Sequence, residues 1–465
     1  MMLFGVILMY LISPFVILAF APIYLAFFIW RTFVKISLWA KFGSGASLMR
    51  SVDSAPVHWP LRCPEALSCI LIEVAGNVEI SALRQRIRNN LLDVKDPASG
   101  QFKHRRLRQA VCRYRGYFIW KDVQDFRLEN HVDFLRQRDT GEIVSFKDEA
   151  DRARIVNVII NDSDDVFEFG RPCWKFLVVP RVDAKSTLIV LMSNHCMWDA
   201  GATGMVLVPA LCDGVVENPF MHMKSVPGWA RAWLYFKGLF GLPLFLVSQA
   251  CGPADRNPIK ARAQRSAMMM PKNGQKSPGK FSYWEGSVPI ATVKEIKNST
   301  GHKFNDVVLT AVARALRKYF ISLNPGKVYL WSAMLLYNQL SFNVLPVWMV
   351  ERLLKRLAGK PTMAITLFRG SGQILKMFGH VIDNFHGVLS IPQTTPLGVL
   401  VQSNAGELAI NVTGLKTAFP TLEDLKVVHR FISEEIEVLA QEVRQLKEES
   451  GNGVDLKLLN PGSVV

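Results

Sequence analysis

Residues 193–204 read SNHCMWDAGATG, which sets His195 four residues before Asp199. They follow TLIVLM at 187–192, an uncharged run with the composition of a buried strand. Imidazole titrates near neutrality, so a histidine held where a strand ends can take a proton from a weakly acidic group and pass it on. A histidine among apolar neighbours is more often a core residue with its hydrogen bonds satisfied. The spacing alone leaves both roles open, and the rest of the chain has to decide.

The elements that must position this turn read as two α/β units. Residues 67–74 (LSCILIEV), 174–179 and 188–192 have strand character, 80–90 a helical period with a basic face, and 203–211 an uncharged helix expected to be buried. They make an N-terminal domain over 60–220. Residues 252–280 are rich in Pro, Gly and basic side chains without an apolar period, as an interdomain linker would be. Before them, 229–248 is broken by Gly and Pro and short for a secure span; it reads as a membrane-surface or re-entrant segment, with a buried core helix as the competing reading. Residues 221–280 are therefore expected to hold a membrane-associated segment and a basic linker.

A second domain is expected over 281–450. Residues 302–320 form an amphipathic helix with Asn305 where an N-cap belongs, Asp306 in its first turn, and Arg314, Arg317 and Lys318 toward its other end. Strand-like runs at 396–403 and 407–413 join through Asn404-Ala-Gly406 as a hairpin. A last helix, 422–449, carries Leu425, Val428, Phe431, Ile432, Ile436, Leu439 and Val443 along one side. Residues 451–465 are a tail.

The chain's 465 residues are 49% hydrophobic, enough to bury large cores. A formal charge of +16 points to anionic partners: nucleic acid, anionic lipid or a phosphate-bearing co-substrate. No zinc-finger spacing, RNA-recognition signature or basic zipper supports nucleic acid. The seven cysteines are scattered without metal-type pairing, which fits reduced thiols facing the cytosol and no metal site. The first thirty residues hold no charged side chain. About 20 helical residues cross the hydrocarbon, so this segment can make one tilted span or a short hairpin bent at Pro14 and Pro22. Arg31, Lys35 and Lys41 follow it, so residues 1–45 read as a transmembrane anchor with a basic flank and the bulk of the protein as cytosolic. Asn161, Asn298 and Asn411 head glycosylation patterns that would then stay unmodified.

Five stretches carry a resemblance: DFRLENHV at 125–132 after Trp120, GRPCW at 170–174, His195 to Asp199, NDVV at 305–308, and the closing hairpin and helix. In this order they resemble the wax ester synthase/diacylglycerol acyltransferase family, relatives of the two-domain CoA-dependent acyltransferases that carry an HxxxD motif. The resemblance implies a chloramphenicol acetyltransferase-like α/β fold of two domains, here with an N-terminal membrane helix. It implies an O-acyltransferase that moves a fatty acyl group from acyl-CoA to a long-chain alcohol or diacylglycerol, at the endoplasmic reticulum, with no bound cofactor. His195 would be the general base, acting on the bound alcohol without a covalent intermediate, so Ser193, Cys173, Cys196 and Cys212 need not be nucleophiles. Asp199 would hold the loop through a salt bridge to an arginine, and Asn305 and Gly201 are candidates for substrate or oxyanion contacts. Lys103, His104, Arg105, Arg106 and Arg108, or the lysines of 272–280, would meet CoA phosphates or lipid headgroups, while His131 and Trp174 would be structural.

The sequence also departs from the family. Asn194 stands where the family has a first histidine, and Ala200 separates Asp199 from Gly201, which predicts a turn one residue longer. The interval 331–362 is short, and Thr366-Leu-Phe-Arg-Gly370 replaces the family's Asn-Val-Pro-Gly-Pro. These changes favour an alternative: a catalytically impaired relative that binds acyl-CoA or lipid.

Overall fold

The computed structural model describes residues 2–58, 67–161, 170–216, 227–230, 232–233, 254–269, 279–324, 333–334, 345–350, 352, 360–391 and 395–449. Most of the 229–248 segment, most of the short interval 331–362 and the whole 451–465 tail lie outside the described residues.

The apolar N-terminus is one continuous helix, Met2–Phe42, that contains Pro14 and Pro22 without folding back as a hairpin. Over 21–45 it is long and apolar enough to cross a membrane. Its last turns bury Val34 and Leu38 against a three-stranded antiparallel sheet ordered Ala46–Leu48, Tyr117–Asp122, Gln109–Tyr114.

Two six-stranded sheets each organise a core of their own, giving a mixed α/β architecture of two domains. The first is ordered Lys376–Met377, His380–Val388, Leu67–Ala75, Ser186–Asn194, Trp174–Pro180, Val132–Phe134. Ser186–Asn194 is buried along its whole length, as its unbroken apolar run requires of a strand flanked on both sides. The His380–Val388 strand arrives from far along the chain and pairs antiparallel with Leu67–Ala75, so the second half of the sequence completes the first sheet.

The second sheet is ordered Ala333–Met334, Met363–Arg369, Leu397–Asn404, Glu407–Leu415, Lys280–Tyr283, and its sixth strand, Ser287–Pro289, also pairs with Glu407–Leu415. The hairpin expected at 404–406 is present, with Ala405 and Gly406 both at positive φ, as a two-residue turn between twisted strands needs. The closing helix Leu422–Glu449 buries Leu425, Val428, Ile432, Ile436 and Val443, and its start is held by Thr421 and Asp424, which exchange backbone and side-chain hydrogen bonds.

Two local readings are corrected. The amphipathic helix runs Phe304–Leu323 with Lys303 as its cap residue, because the Asp306 carboxylate accepts the Lys303 N–H; Asn305 lies inside the first turn. Within the stretch read as a linker, Pro258–Met269 is a helix whose Ile259 and Ala263 join the second core.

Candidate active site

The Ser186–Asn194 strand delivers His195. Leu67 pairs with Asn194 at its end, and Ser68 Oγ donates to the Ser193 carbonyl at 3.1 Å. Asn194 is fully buried, and its side-chain oxygen accepts the Cys196 N–H at 3.0 Å while its carbonyl accepts the Met197 N–H at 2.9 Å. The residue that replaces the family's first histidine thus folds the chain back on itself directly under His195. The His195 side chain is half-buried, and among the described residues nothing hydrogen-bonds its ring.

Asp199 closes the turn. Its Oδ1 accepts the Ala202 N–H at 2.6 Å and its carbonyl the Thr203 N–H at 2.9 Å, so it caps the helical segment 200–211. Among the described residues no salt bridge joins it to an arginine. Arg106 pairs instead with Asp53 at 2.9 Å, from the short helix Ser51–Ser54. Burial raises the Asp53 carboxyl above the usual carboxylate range, Arg106 opposes that shift, and the charge of Asp199 adds to it. Gly201 keeps room for the cap: a Cβ there would sit 3.3 Å from Asp199 Oδ1.

The chain turns helical at Ala200 itself. The segment runs α-helical at Ala200–Ala202, widens to a π-helical turn at Thr203–Leu207 and returns to α-helix at Val208–Leu211. A π turn is how a helix absorbs one added residue while both of its ends stay in register with their surroundings. Here one end is the Asp199 cap and the other is the buried Leu207 and Leu211.

Behind this helix lies a narrow cleft of about 20 Å³ between the two sheets, lined from the first domain by Gly204, Val208 and Val216. Phe368, Gly370, Ser371, Gln402 and Asn404 line it from the second sheet, and Leu375 and Phe385 from the crossing hairpin. Thr366-Leu-Phe-Arg-Gly370, which departs from the family pattern, therefore supplies two of its wall residues. His195 belongs to the turn at the head of the same helix and does not line the cleft. Asn305 is exposed on the first turn of its helix and makes no hydrogen bond to His195 or Asp199.

The arginines read as phosphate ligands are engaged within the protein. Arg105 pairs with Asp122, Arg106 with Asp53, and Arg108 with Asp93 at 2.7 Å. Lys280, expected in a solvated basic run, is fully buried, and its Nζ donates to the carbonyls of Leu67 at 2.5 Å and Leu389 at 3.0 Å. It ties the second sheet to the strand that pairs with Asn194. Nothing in the sequence around it signalled this.

His131 and Trp174 pack as expected. His131 Nδ1 donates to the Trp174 carbonyl at 2.7 Å, its ring lies 4.6 Å from the indole, and Trp174 Nε1 donates to the Leu107 carbonyl at 2.9 Å. Burial lowers His131 to about 4, so it is neutral at pH 7. Burial pushes the Cys196 thiol well above its ordinary value and the Cys212 thiol to about 12, which leaves both as poor nucleophiles. Among the described residues no group of three or more His, Cys, Asp and Glu could hold a metal ion.

Residues 330–432 match the family model described as WS/DGAT C-terminal domain. No curated protein sequence matches the chain. The fold is similar to that of a wax ester synthase/diacylglycerol acyltransferase from Marinobacter aquaeolei VT8, with a TM-score of 0.53 and 14% identity over 85% of this chain and 100% of that one. It is also similar to the first condensation domain of the calcium-dependent antibiotic synthetase, with a TM-score of 0.49 and 12% identity over 85% of this chain and 96% of that one. A WS/DGAT C-terminal domain match over 330–432 is thus set in a two-domain α/β fold similar to that of a wax ester synthase/diacylglycerol acyltransferase.

Proposed function

We propose that the chain is a membrane-anchored O-acyltransferase that moves a fatty acyl group from acyl-CoA to a long-chain alcohol or diacylglycerol. The observation that carries this reading is the half-buried His195 on a turn fixed by Asn194 and Asp199, at the head of a helix that walls an apolar interdomain cleft. His195 takes the proton of the acceptor hydroxyl as its oxygen attacks the thioester carbonyl. The tetrahedral intermediate then collapses, the carbon–sulfur bond breaks, and His195 returns the proton to the CoA thiolate. The poor nucleophilicity of the nearby buried thiols supports direct attack over a covalent acyl-enzyme.

Asp199 acts by holding the turn, and Asn305 and Gly201 remain the candidates for contacts to substrate or to the developing oxyanion. The walls of the cleft are mostly apolar, with Ser371, Gln402 and Asn404 as its polar groups, and a hydrocarbon chain would have to widen it to enter. The N-terminal helix would hold the enzyme at the endoplasmic reticulum with both domains in the cytosol, where acyl-CoA is met in solution and the acceptor in the bilayer.

The test is an assay of microsomes containing the wild-type chain or His195→Ala at equal abundance, with labelled acyl-CoA and either hexadecanol or diacylglycerol. Ester formed by the wild type and lost in the variant supports the mechanism and names the acceptor; equal activity in both removes His195 as the base. A second reading, an acyl-CoA or lipid binder without turnover, is favoured by the lack of any hydrogen-bonded group among the described residues to orient the His195 ring. It predicts no ester from either chain but retained binding of acyl-CoA.

A further inference from the structure

The N-terminal helix does not stop where its uncharged run stops. It continues unbroken to Phe42, with Phe28, Ile29 and Trp30 exposed before Arg31 and with Val34 and Leu38 buried after it. Phe33, Ile36 and Trp39 stay exposed on the other face, while Arg31 is held by the body: its guanidinium donates to the Met49 carbonyl at 3.3 Å and lies 5.3 Å over the Tyr117 ring. Further along, Arg115 lies 5.6 Å over Phe33, Ser37 Oγ is 2.8 Å from Tyr114 Oη, and Lys121 lies 5.3 Å over Phe42. The docked part therefore runs alongside the Tyr117–Asp122 strand in the same direction. Its uncharged end leaves the body at the hairpin turn Arg115-Gly116.

A second element sits on that turn. The Val347 N–H donates to the Gly116 carbonyl at 2.8 Å, and Pro346 lies against Gly116. In the helical turn 347–350, Val347 and Val350 are buried while Trp348 points outward, 52% exposed, with the Arg352 guanidinium 5.5 Å over its ring. No linker separates helix from body, so a bilayer crossed by the uncharged run meets this rim within a turn or two of Arg31. The 29 helical residues before Arg31 reach about 43 Å, more than the ~30 Å hydrocarbon, so the uncharged run is long enough to fill the bilayer right up to the rim.

We propose that the Arg115-Gly116 turn, residues 346–350 and Arg352 form a second membrane contact, in which Trp348 enters the headgroup–acyl boundary of an anionic bilayer and Arg115 and Arg352 meet lipid phosphates. This rests on the reading that the N-terminal helix crosses the membrane. An indole with an arginine over its face suits that boundary, where the ring is half-immersed and the cation stays hydrated. The charged groups among the described residues of the rim are Arg113, Arg115 and Arg352; Glu351, outside the described residues, is the acidic neighbour in sequence. With the helix docked rigidly and the rim seated, the body has one orientation on the membrane instead of swinging about its anchor.

The test uses the full chain in phosphatidylcholine–phosphatidylserine vesicles. An environment-sensitive fluorescent amino acid is placed at position 348, at Ile23 within the helix, or at Val182, an exposed site on the first domain. Quenching is read with lipids brominated along the acyl chain. The proposal expects position 348 to be quenched several-fold more than position 182, and the effect to fall when phosphatidylserine is omitted. Quenching at position 23 with none at 348 overturns the rim contact and leaves the anchor standing. A blue shift at 348 without quenching assigns the rim to a protein partner and also overturns it. No quenching at 23 removes the anchor and the rim contact together.

Discussion

Asp199 Oδ1 accepts the Ala202 N–H at 2.6 Å, four residues past His195, and this bond gives the aspartate of the motif a definite job. It satisfies one of the unpaired donors that begin a helix, and by doing so fixes where the preceding turn leaves the strand. Asparagine caps about as well as aspartate. Asp199→Asn is therefore expected to keep stability and most of the ester-forming rate, while Asp199→Ala loses about 1 kcal/mol in denaturant titration and activity with it. An Asn variant as dead as the Ala variant would show that the charge itself acts on His195.

The π turn makes a separate prediction. If the π turn at Thr203–Leu207 takes up one added residue, deleting Ala200 returns the helix to a regular α form with both ends in place and leaves a folded protein. Gly204 lies on the cleft side of that turn, so Gly204→Leu fills room that an apolar chain would occupy. The expected outcome is a profile of products shifted to shorter chains, with turnover of the shortest substrates retained. A profile unchanged in Gly204→Leu would mean that the chain lies elsewhere.

What could be read from the sequence followed the range of the interactions involved. The Asn404-Ala-Gly406 hairpin and the closing helix were legible because turn chemistry and a 3.6-residue apolar period are local signals. His380–Val388 was not: its polar alternation is weak, and its partner Leu67–Ala75 lies about three hundred positions away. The site divides in the same way. The SNHCMWDAGATG turn was visible as a motif, but Arg106 spending its charge on Asp53 depends on the Ser51–Ser54 helix coming to rest beside it. Asn305 was misplaced as a cap because the Asp306 carboxylate reaches back to the Lys303 N–H and the helix starts at Phe304.

Lys280 is the second example of a charge that composition misplaces. Its fully buried ammonium holds the Leu67 and Leu389 carbonyls. Lys280→Met fits the same space but leaves two buried acceptors without that donor, at about 1–3 kcal/mol each. The variant is expected to unfold at markedly lower denaturant and to lose activity in step with its folded fraction. Stability equal to wild type would mean that the two carbonyls find other donors.

The buried histidines set a pH limit on stability. Burial lowers both His131 and His429 to about 4 from an ordinary 6.5. Between those values the unfolded chain binds protons that the folded one refuses, so stability rises with pH across the window. The contribution is present in full above about 6.5, declines as pH falls, and is gone below about 4. Each site is worth on the order of 3 kcal/mol over that range. His429 Nε2 donates to the Ile410 carbonyl at 3.0 Å, so a replacement must keep a neutral donor there. Both His131→Asn and His429→Gln should flatten the fall in unfolding free energy between pH 6.5 and 4, and a slope unchanged in both variants would assign the acid sensitivity to other groups.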